Sequence, residues 1–330
     1  MKKSYRKWLI IASSLLCLSL LLFLIYSIQT QKEKKVVHMV YIPKLIDETN
    51  DFWTALIEGA NMAAKDYDID LVIDGGSNET DYEDQNRRIQ KAIDSKADVI
   101  AVSPISYTNS TEMVKKVKES GIKLIFVDSG VDEDVADALI ATDNFAAGMK
   151  MGKFMQQSLN EDSQIAIVSH VKDASTAIDR ERGLRAGIGP YEDQIVEVVY
   201  CDSNYQKAYR LTKELLEKYP DLDYIAGLNE YSAVGAARAV DEIQGGASQR
   251  VKVIGFDNSL EQIKFLEKGV FQAIVVQKSF NMGYLAVETA LKVLKGEKVP
   301  PVIDSGSELI TKDNMYTEQN QKLLFPFFDK

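Results

Sequence analysis

The stretch VVHMVYIPKLIDETNDFWTALIEGANMAAKDYDIDLVI, residues 36–73, sets a pattern that the rest of the chain repeats. A β-branched run (36–42), a longer stretch with apolar residues at helical spacing (52–66) and a second short apolar run (71–73) read as strand, helix, strand. Working outward, strand-like runs recur at 99–102 and 124–127. Amphipathic stretches at 82–95 and 111–120 separate them, with Ile89, Ala92 and Ile93, then Met113, Val114 and Val117, on single helical faces. A second series of apolar runs follows at 165–168, 195–200, 224–228, 251–256 and 273–276. This alternation predicts an α/β fold of parallel sheets covered by helices on both faces, with ligands beyond the carboxyl ends of the strands. Two similar series predict two similar lobes, after an N-terminal segment 1–35.

The 330 residues are 45% hydrophobic and 27% charged, a composition that excludes a disordered or collagen-like chain. Two cysteines, Cys17 and Cys201, exclude a disulfide framework and a Cys-rich zinc site; two histidines, His38 and His170, leave little for a His-based metal centre. Both histidines read as structural, His38 within the first strand and His170 at a strand end near the cleft. Residues 1–35 hold seven basic residues and one acidic residue, so 36–330 carries 32 basic against 48 acidic residues, a charge of about −16. Such a surface argues against nucleic acid.

Residues 8–28 contain no charge, and 21 residues of helix at about 1.5 Å each reach roughly 30 Å, the thickness of a bilayer core. Lys2, Lys3, Arg6 and Lys7 precede this span, and no A-x-A-like site or lipoprotein pattern around Cys17 accompanies it. The expectation is one uncleaved transmembrane helix anchored in the lipid bilayer through 8–28, with a short cytoplasmic tail and the lobes outside. That span occupies the place where a helix-turn-helix would lie, so a transcription regulator is excluded.

Catalytic motifs are missing. After the first strand, residues 42–50 (IPKLIDETN) contain no glycine, where a dinucleotide site needs G-x-G-x-x-G for close approach to pyrophosphate. Neither G-x-x-x-x-G-K-[ST] nor a G-x-S-x-G elbow occurs, and Asp74-Gly-Gly-Ser77 follows the second strand as a turn. The expectation is no enzyme, no cofactor and no metal.

Strand ends carry an ordered set of motifs: Asn50-Asp-Phe-Trp53 with Gly59-Ala60, Val102-Ser-Pro104, Ile125-Phe-Val-Asp-Ser129, Ala141-Thr-Asp-Asn144, Arg180-Glu-Arg-Gly183, Asn229-Glu230, Val253-Ile-Gly-Phe-Asp257 and Ala273-Ile-Val-Val-Gln277. In this order and spacing they resemble the periplasmic sugar-binding protein family of the ribose- and galactose-binding type. That family shares the type I periplasmic binding protein fold with the ligand domains of lactose-repressor-like regulators. The resemblance covers about residues 36–310 and implies two doubly wound lobes joined by a hinge, 36–142 plus 278–306 for the first and 143–277 plus 307–330 for the second, with a monosaccharide held between them.

Sugars suit these residue types, because hydroxyl groups both donate and accept while C–H faces are apolar. Asp128 and Asp257 would each accept from two hydroxyls, Arg182 would supply a fork of donors at the position the family uses, and Asn229 and Gln277 would both donate and accept. Phe52 and Trp53 would sandwich the ring. Asn50, Ser129, Tyr205 and Phe256 are further candidates. Bland roles stand beside these: Asp128 could cap a turn, Arg180 and Arg182 could form a solvated charged face, Phe52, Trp53 and Phe256 could be core, and Asp143-Asn144 reads as a helix cap near the hinge. Ribose-type relatives carry Asp-Arg where this chain has Asp128-Ser129, which removes one charged donor; Lys44 could replace it. The resemblance implies an ABC permease as partner in sugar uptake, or alternatively a sensor histidine kinase of a two-component system.

Overall fold

The computed structural model describes residues 14–16, 18–21, 36–245 and 250–325. Residues 14–16 and 18–21 are helical. The rest of the expected membrane span 8–28 lies outside the described residues, and among those described no helix is long and apolar enough to cross a membrane. Residues 38–330 form a unit of their own.

In chain order, β1 (Val37–Ile42), α1 (Asp51–Tyr67), β2 (Ile69–Ile73), α2 (Tyr82–Asp94), β3 (Val99–Val102), α3 (Thr111–Glu119), β4 (Lys123–Val127) and β5 (Ala138–Ala141) build the first half. The chain crosses over with α4 (Asn144–Gln156) and continues through β6 (Ile165–Ser169), α5 (Ser175–Ile188), a 3-10 turn (Gly189–Gln194), β7 (Ile195–Tyr200), α6 (Tyr205–Lys218) and β8 (Tyr224–Gly227). The second half goes on with α7 (Glu230–Gln244), β9 (Lys252–Phe256), α8 (Leu260–Lys268) and β10 (Phe271–Gln277). Next, α9 (Ser279–Leu294) and β11 (Val302–Asp304) return to the first half, and β12 (Ser307–Ile310) and α10 (Glu318–Leu324) to the second.

The sheets run β11-β5-β4-β3-β1-β2 and β12-β10-β9-β8-β6-β7. Position by position these orders match, so the halves repeat one plan. Central pairings are parallel, with Val40 opposite Ile100 and Ile100 opposite Leu124 in the first sheet. Strands β3, β6 and β8 are buried at every residue, which is why they read as continuous runs of Val, Ile and Ala rather than alternating. The α/β class with parallel sheets in two lobes is the one expected. Strands β5, β11 and β12 were not among the predicted runs, and β12 pairs with β10 antiparallel, so the second sheet is mixed. Each has only three or four residues, too short for its period to separate strand from helix or loop.

Each lobe seats a helix that enters from the other. Ala147, Met151 and Met155 of α4 pack on β6 and β8 in the second lobe, while Met282, Ala286, Val287 and Ala290 of α9 join the core of the first. Glycines let these helices approach closely. A Cβ on Gly148 would fall 2.2 Å from the Arg180 carbonyl oxygen, and one on Gly183 2.1 Å from that of Phe145, so α4 and α5 meet backbone to backbone. Three strand exits, at 142–143, 277–279 and 304–307, connect the lobes side by side. Ser305 N donates to Ala141 O at 2.8 Å and Asp143 N to Asp304 Oδ1 at 3.0 Å across them. Asp143 caps α4 by accepting from Ala146 N at 2.8 Å, as the sequence suggests.

Candidate functional site

Two aspartates at equivalent strand ends define the cleft. Asp128 follows β4 and Asp257 follows β9, each at φ 67°, in the left-handed region that Asp tolerates better than most residues. Their amides make matching bonds to the neighbouring strand, Asp128 N to Ile140 O at 2.9 Å and Asp257 N to Val275 O at 2.8 Å. Both side chains are buried where the carboxyl ends of the two sheets face each other.

From the first lobe, Lys44 reaches into the cleft out of the loop after β1. Its Nζ lies 2.8 Å from Asp128 Oδ2, with both side chains only 3% exposed, and 5.8 Å from the Trp53 ring centroid. Asn50 caps α1, its Oδ1 accepting from Trp53 N at 3.0 Å, which fixes Phe52 and Trp53 in the first turn. The two rings meet edge to face with centroids 5.0 Å apart. The indole Nε1 donates to Glu79 Oε1 at 2.9 Å, and Ser203 of the second lobe donates to Glu79 Oε2 at 2.5 Å.

From the second lobe, Arg180 stacks on Phe256, its guanidinium carbon 3.9 Å from the ring centroid. Its Nε donates to Asn144 Oδ1 and its Nη1 to Leu228 O, each at 2.8 Å. Burial lowers the Arg180 pKa, while Asp257, Asp128 and Glu79 act against that. Burial likewise raises Asp257, opposed by Arg180 and by bonds from Gln277 Nε2 (2.7 Å) and Glu230 N (3.0 Å). Glu230 is pushed well above the carboxylate range by burial, although the Tyr205 hydroxyl donates to its Oε1 at 2.7 Å. Asn229 caps α7 through Ser232 N at 2.9 Å and turns its Nδ2 to Ser203 Oγ at 3.2 Å.

The structure gathers Lys44, Asn50, Phe52, Trp53, Asp128, Asn229, Asp257 and Gln277 around one cavity. Arg182 is not there. It lies two residues beyond Arg180 on α5, about 200° around the helix, is 66% exposed, and pairs with Asp179 at 3.0 Å. Arg180 holds the inward position instead. Three further candidates stand behind the lining: Phe256 under Arg180, Tyr205 on Glu230, and Ser129, whose hydroxyl donates to Pro104 O at 2.9 Å within the first lobe. Glu79, His170, Thr176, Arg180, Glu230 and Tyr231 line the cavity without having been assigned to it. Helical phase offers a signal for Arg180, because Ala177, Arg180, Gly183, Leu184 and Gly187 share the buried face of α5. Glu79 offers none, being a loop carboxylate in an acidic chain.

The space left between these side chains is about 20 Å³, on the scale of one water molecule. A roomier groove of about 850 Å³ runs between α1, α9 and α10, but shares only Gln277 with the cavity and lacks its buried charged groups. Opposed donors and acceptors from two lobes can hold a small neutral polar ligand on all sides.

Residues 40–298 match the model of a periplasmic binding protein domain family. A sugar transporter from Clostridium phytofermentans is similar in structure, with 46% identity, a TM-score of 0.80, and coverage of 84% of this chain and all of that one. An ABC transporter solute binding protein from Agrobacterium vitis with bound D-fucose is 31% identical, with a TM-score of 0.82 over 87% of this chain and 99% of that one. Among curated proteins, the ribose import binding protein of Haemophilus influenzae is 27% identical over 263 residues, 80% of this chain and 88% of that protein.

Proposed function

Because the chain belongs to the periplasmic binding protein domain family, we propose that it closes its two lobes around one monosaccharide outside the cytoplasm and passes it unaltered to an ABC permease. One observation carries this reading: a single buried cavity is lined by opposed polar groups of both lobes, Lys44 and Asp128 from one, Arg180, Asp257 and Gln277 from the other. Relatives named for sugars support it. The remaining space of about 20 Å³ is too small for a sugar ring, so entry requires the lobes to separate about the exits at 142–143, 277–279 and 304–307, and the bound form holds the lining side chains farther apart than here. Binding then favours the closed form by the contacts that only that form makes. Residues 8–28 anchor the chain in the cell membrane as a single span. That anchor, with no lipoprotein pattern at Cys17, favours a second reading in which the closed form is presented to a sensor histidine kinase.

Calorimetry on the full chain in detergent, over pentoses, hexoses and their deoxy forms, is expected to give one binding event per chain, with the sugar recovered unchanged. Turnover of any sugar, or no heat with all of them, refutes the reading.

A further inference from the structure

His170 directly follows β6 at the cleft edge of the second sheet and is 2% exposed. Its Nε2 is 2.9 Å from Thr176 Oγ1. Its Nδ1 is buried with no hydrogen-bond partner among the described residues, and so is Gln277 Oε1, whose Nε2 already donates to Asp257 Oδ1. Both residues line the cavity. Buried polar atoms are otherwise almost always paired, because leaving one unpaired forfeits its hydration without return.

The acids around the same cavity are all engaged. Asp128 faces Lys44, Asp257 accepts from Gln277 and Glu230 N, Glu230 accepts from Tyr205, and Glu79 accepts from Trp53 and Ser203. Of the described lining atoms, the fully buried ones that make no hydrogen bond at all are one histidine nitrogen and one amide oxygen. We propose that His170 Nδ1 takes a hydroxyl of the bound ligand beside Gln277, whose place in the site the resemblance already implies, and that His170 is a specificity-determining residue of the site; this rests on the monosaccharide reading above.

Gln277 Oε1 only accepts, so it needs an O–H donor. His170 Nδ1 donates or accepts according to tautomer, and a hydroxyl satisfies either case. Burial and the charges of Arg180 and Lys44 hold the imidazole neutral, which suits it to an uncharged hydroxyl. A sugar lacking that hydroxyl would leave the nitrogen unpaired inside a closed site, a loss that a site built for hydrogen bonding penalises strongly.

The test is calorimetry on the full chain in detergent with D-ribose, D-allose, D-arabinose, D-galactose and D-glucose, then with each single-deoxy derivative of the tightest binder. Wild type is expected to lose affinity by about tenfold or more at the deoxy position that faces His170. His170→Leu should lose a similar factor for the parent sugar and nothing further for that one derivative, while discriminating normally at the other positions. His170→Gln, which keeps a polar end, should recover part of the loss. Should the leucine variant fail to fold, the imidazole ¹⁵N signal of His170 in wild type supplies the reading, shifting with the parent sugar and not with that derivative. Parent affinity unchanged in His170→Leu, equal loss for every derivative, or an unmoved ¹⁵N signal overturns the assignment alone. A wild type that binds no sugar of the panel overturns the monosaccharide reading and the assignment with it.

Discussion

On α5, a step of two residues turns a side chain by about 200°, and this separates Arg180 from Arg182. Arg180 is buried against Phe256 and offers its fork to the cleft, whereas Arg182 is held in solvent by Asp179. Removing Arg180 leaves Asn144 Oδ1 and Leu228 O without their donor and Asp257 without its neighbouring cation. Arg180→Ala is therefore expected to weaken sugar binding about a hundredfold or more and to lower the melting temperature. Arg182→Ala, which breaks only an exposed pair, should change affinity by less than about threefold and stability by less than about 0.5 kcal/mol. Paired calorimetry and thermal melts on the two variants decide it, and equal effects would refute the placement. At this scale, strand-end residues such as Asp128, Asp257 and Gln277 were legible, because a short apolar run stops just before or at each one and its carboxyl end faces the other lobe. The choice between two arginines was not, since both sit in one charged segment and only the phase of buried Ala177 and Leu184 separates them.

Element packing explains why that arginine is held so firmly. Gly148 on α4 lies against the backbone of Arg180 itself, and Gly152, Gly183 and Gly187 continue the same close seam. In an exposed helix Gly→Ala stabilises by up to about 1 kcal/mol. Here the added methyl would stand 2.2 Å from the Arg180 carbonyl oxygen, so the helices must part. Gly148→Ala is expected to cost about 1–3 kcal/mol, the usual range for overpacking, and to weaken sugar binding because Arg180 moves with its backbone. A variant with wild-type melting temperature and affinity would show that the seam has slack. Helices α1, α2 and α3 were readable from periodicity, and the fully buried strands β3, β6 and β8 as unbroken apolar runs. Four-residue β5 and three-residue β11 were not: their identity comes from the neighbours they pair with, Ala138 beside Ile125 and Val302 beside Leu139, and no local pattern records a partner.

The two lobes are copies of one plan that exchange a helix and are tied at three adjacent exits. They also touch through a clasp whose residues do not line the cavity. Asp173 of the second lobe accepts from Ser106 and Thr108 hydroxyls of the first, and its carbonyl oxygen accepts from Tyr107 N at 2.6 Å. Ser175 adds a bond from Gly130 N at 3.1 Å. These bonds exist only while the lobes touch, so they stabilise the closed form without contacting ligand. A ligand that requires closure binds with an apparent affinity reduced by the fraction of closed protein. If the sugar-free protein is mainly open, Asp173→Ala shifts the equilibrium further and should weaken sugar binding by about fivefold to thirtyfold, using about 1–2 kcal/mol for the lost side-chain bonds. The bound complex would keep the same heat-capacity signature and the same deoxy-sugar preferences, since no lining residue has changed. Small-angle scattering supplies the independent reading: the radius of gyration of wild type should fall on adding sugar, and the variant should need more sugar to reach the same compact value. Unchanged affinity in Asp173→Ala, together with a radius that does not respond to sugar in wild type, would mean that the lobes are already closed before binding. The clasp would then be structural, and entry to the cavity would have to be explained by local motion of the loop carrying Lys44.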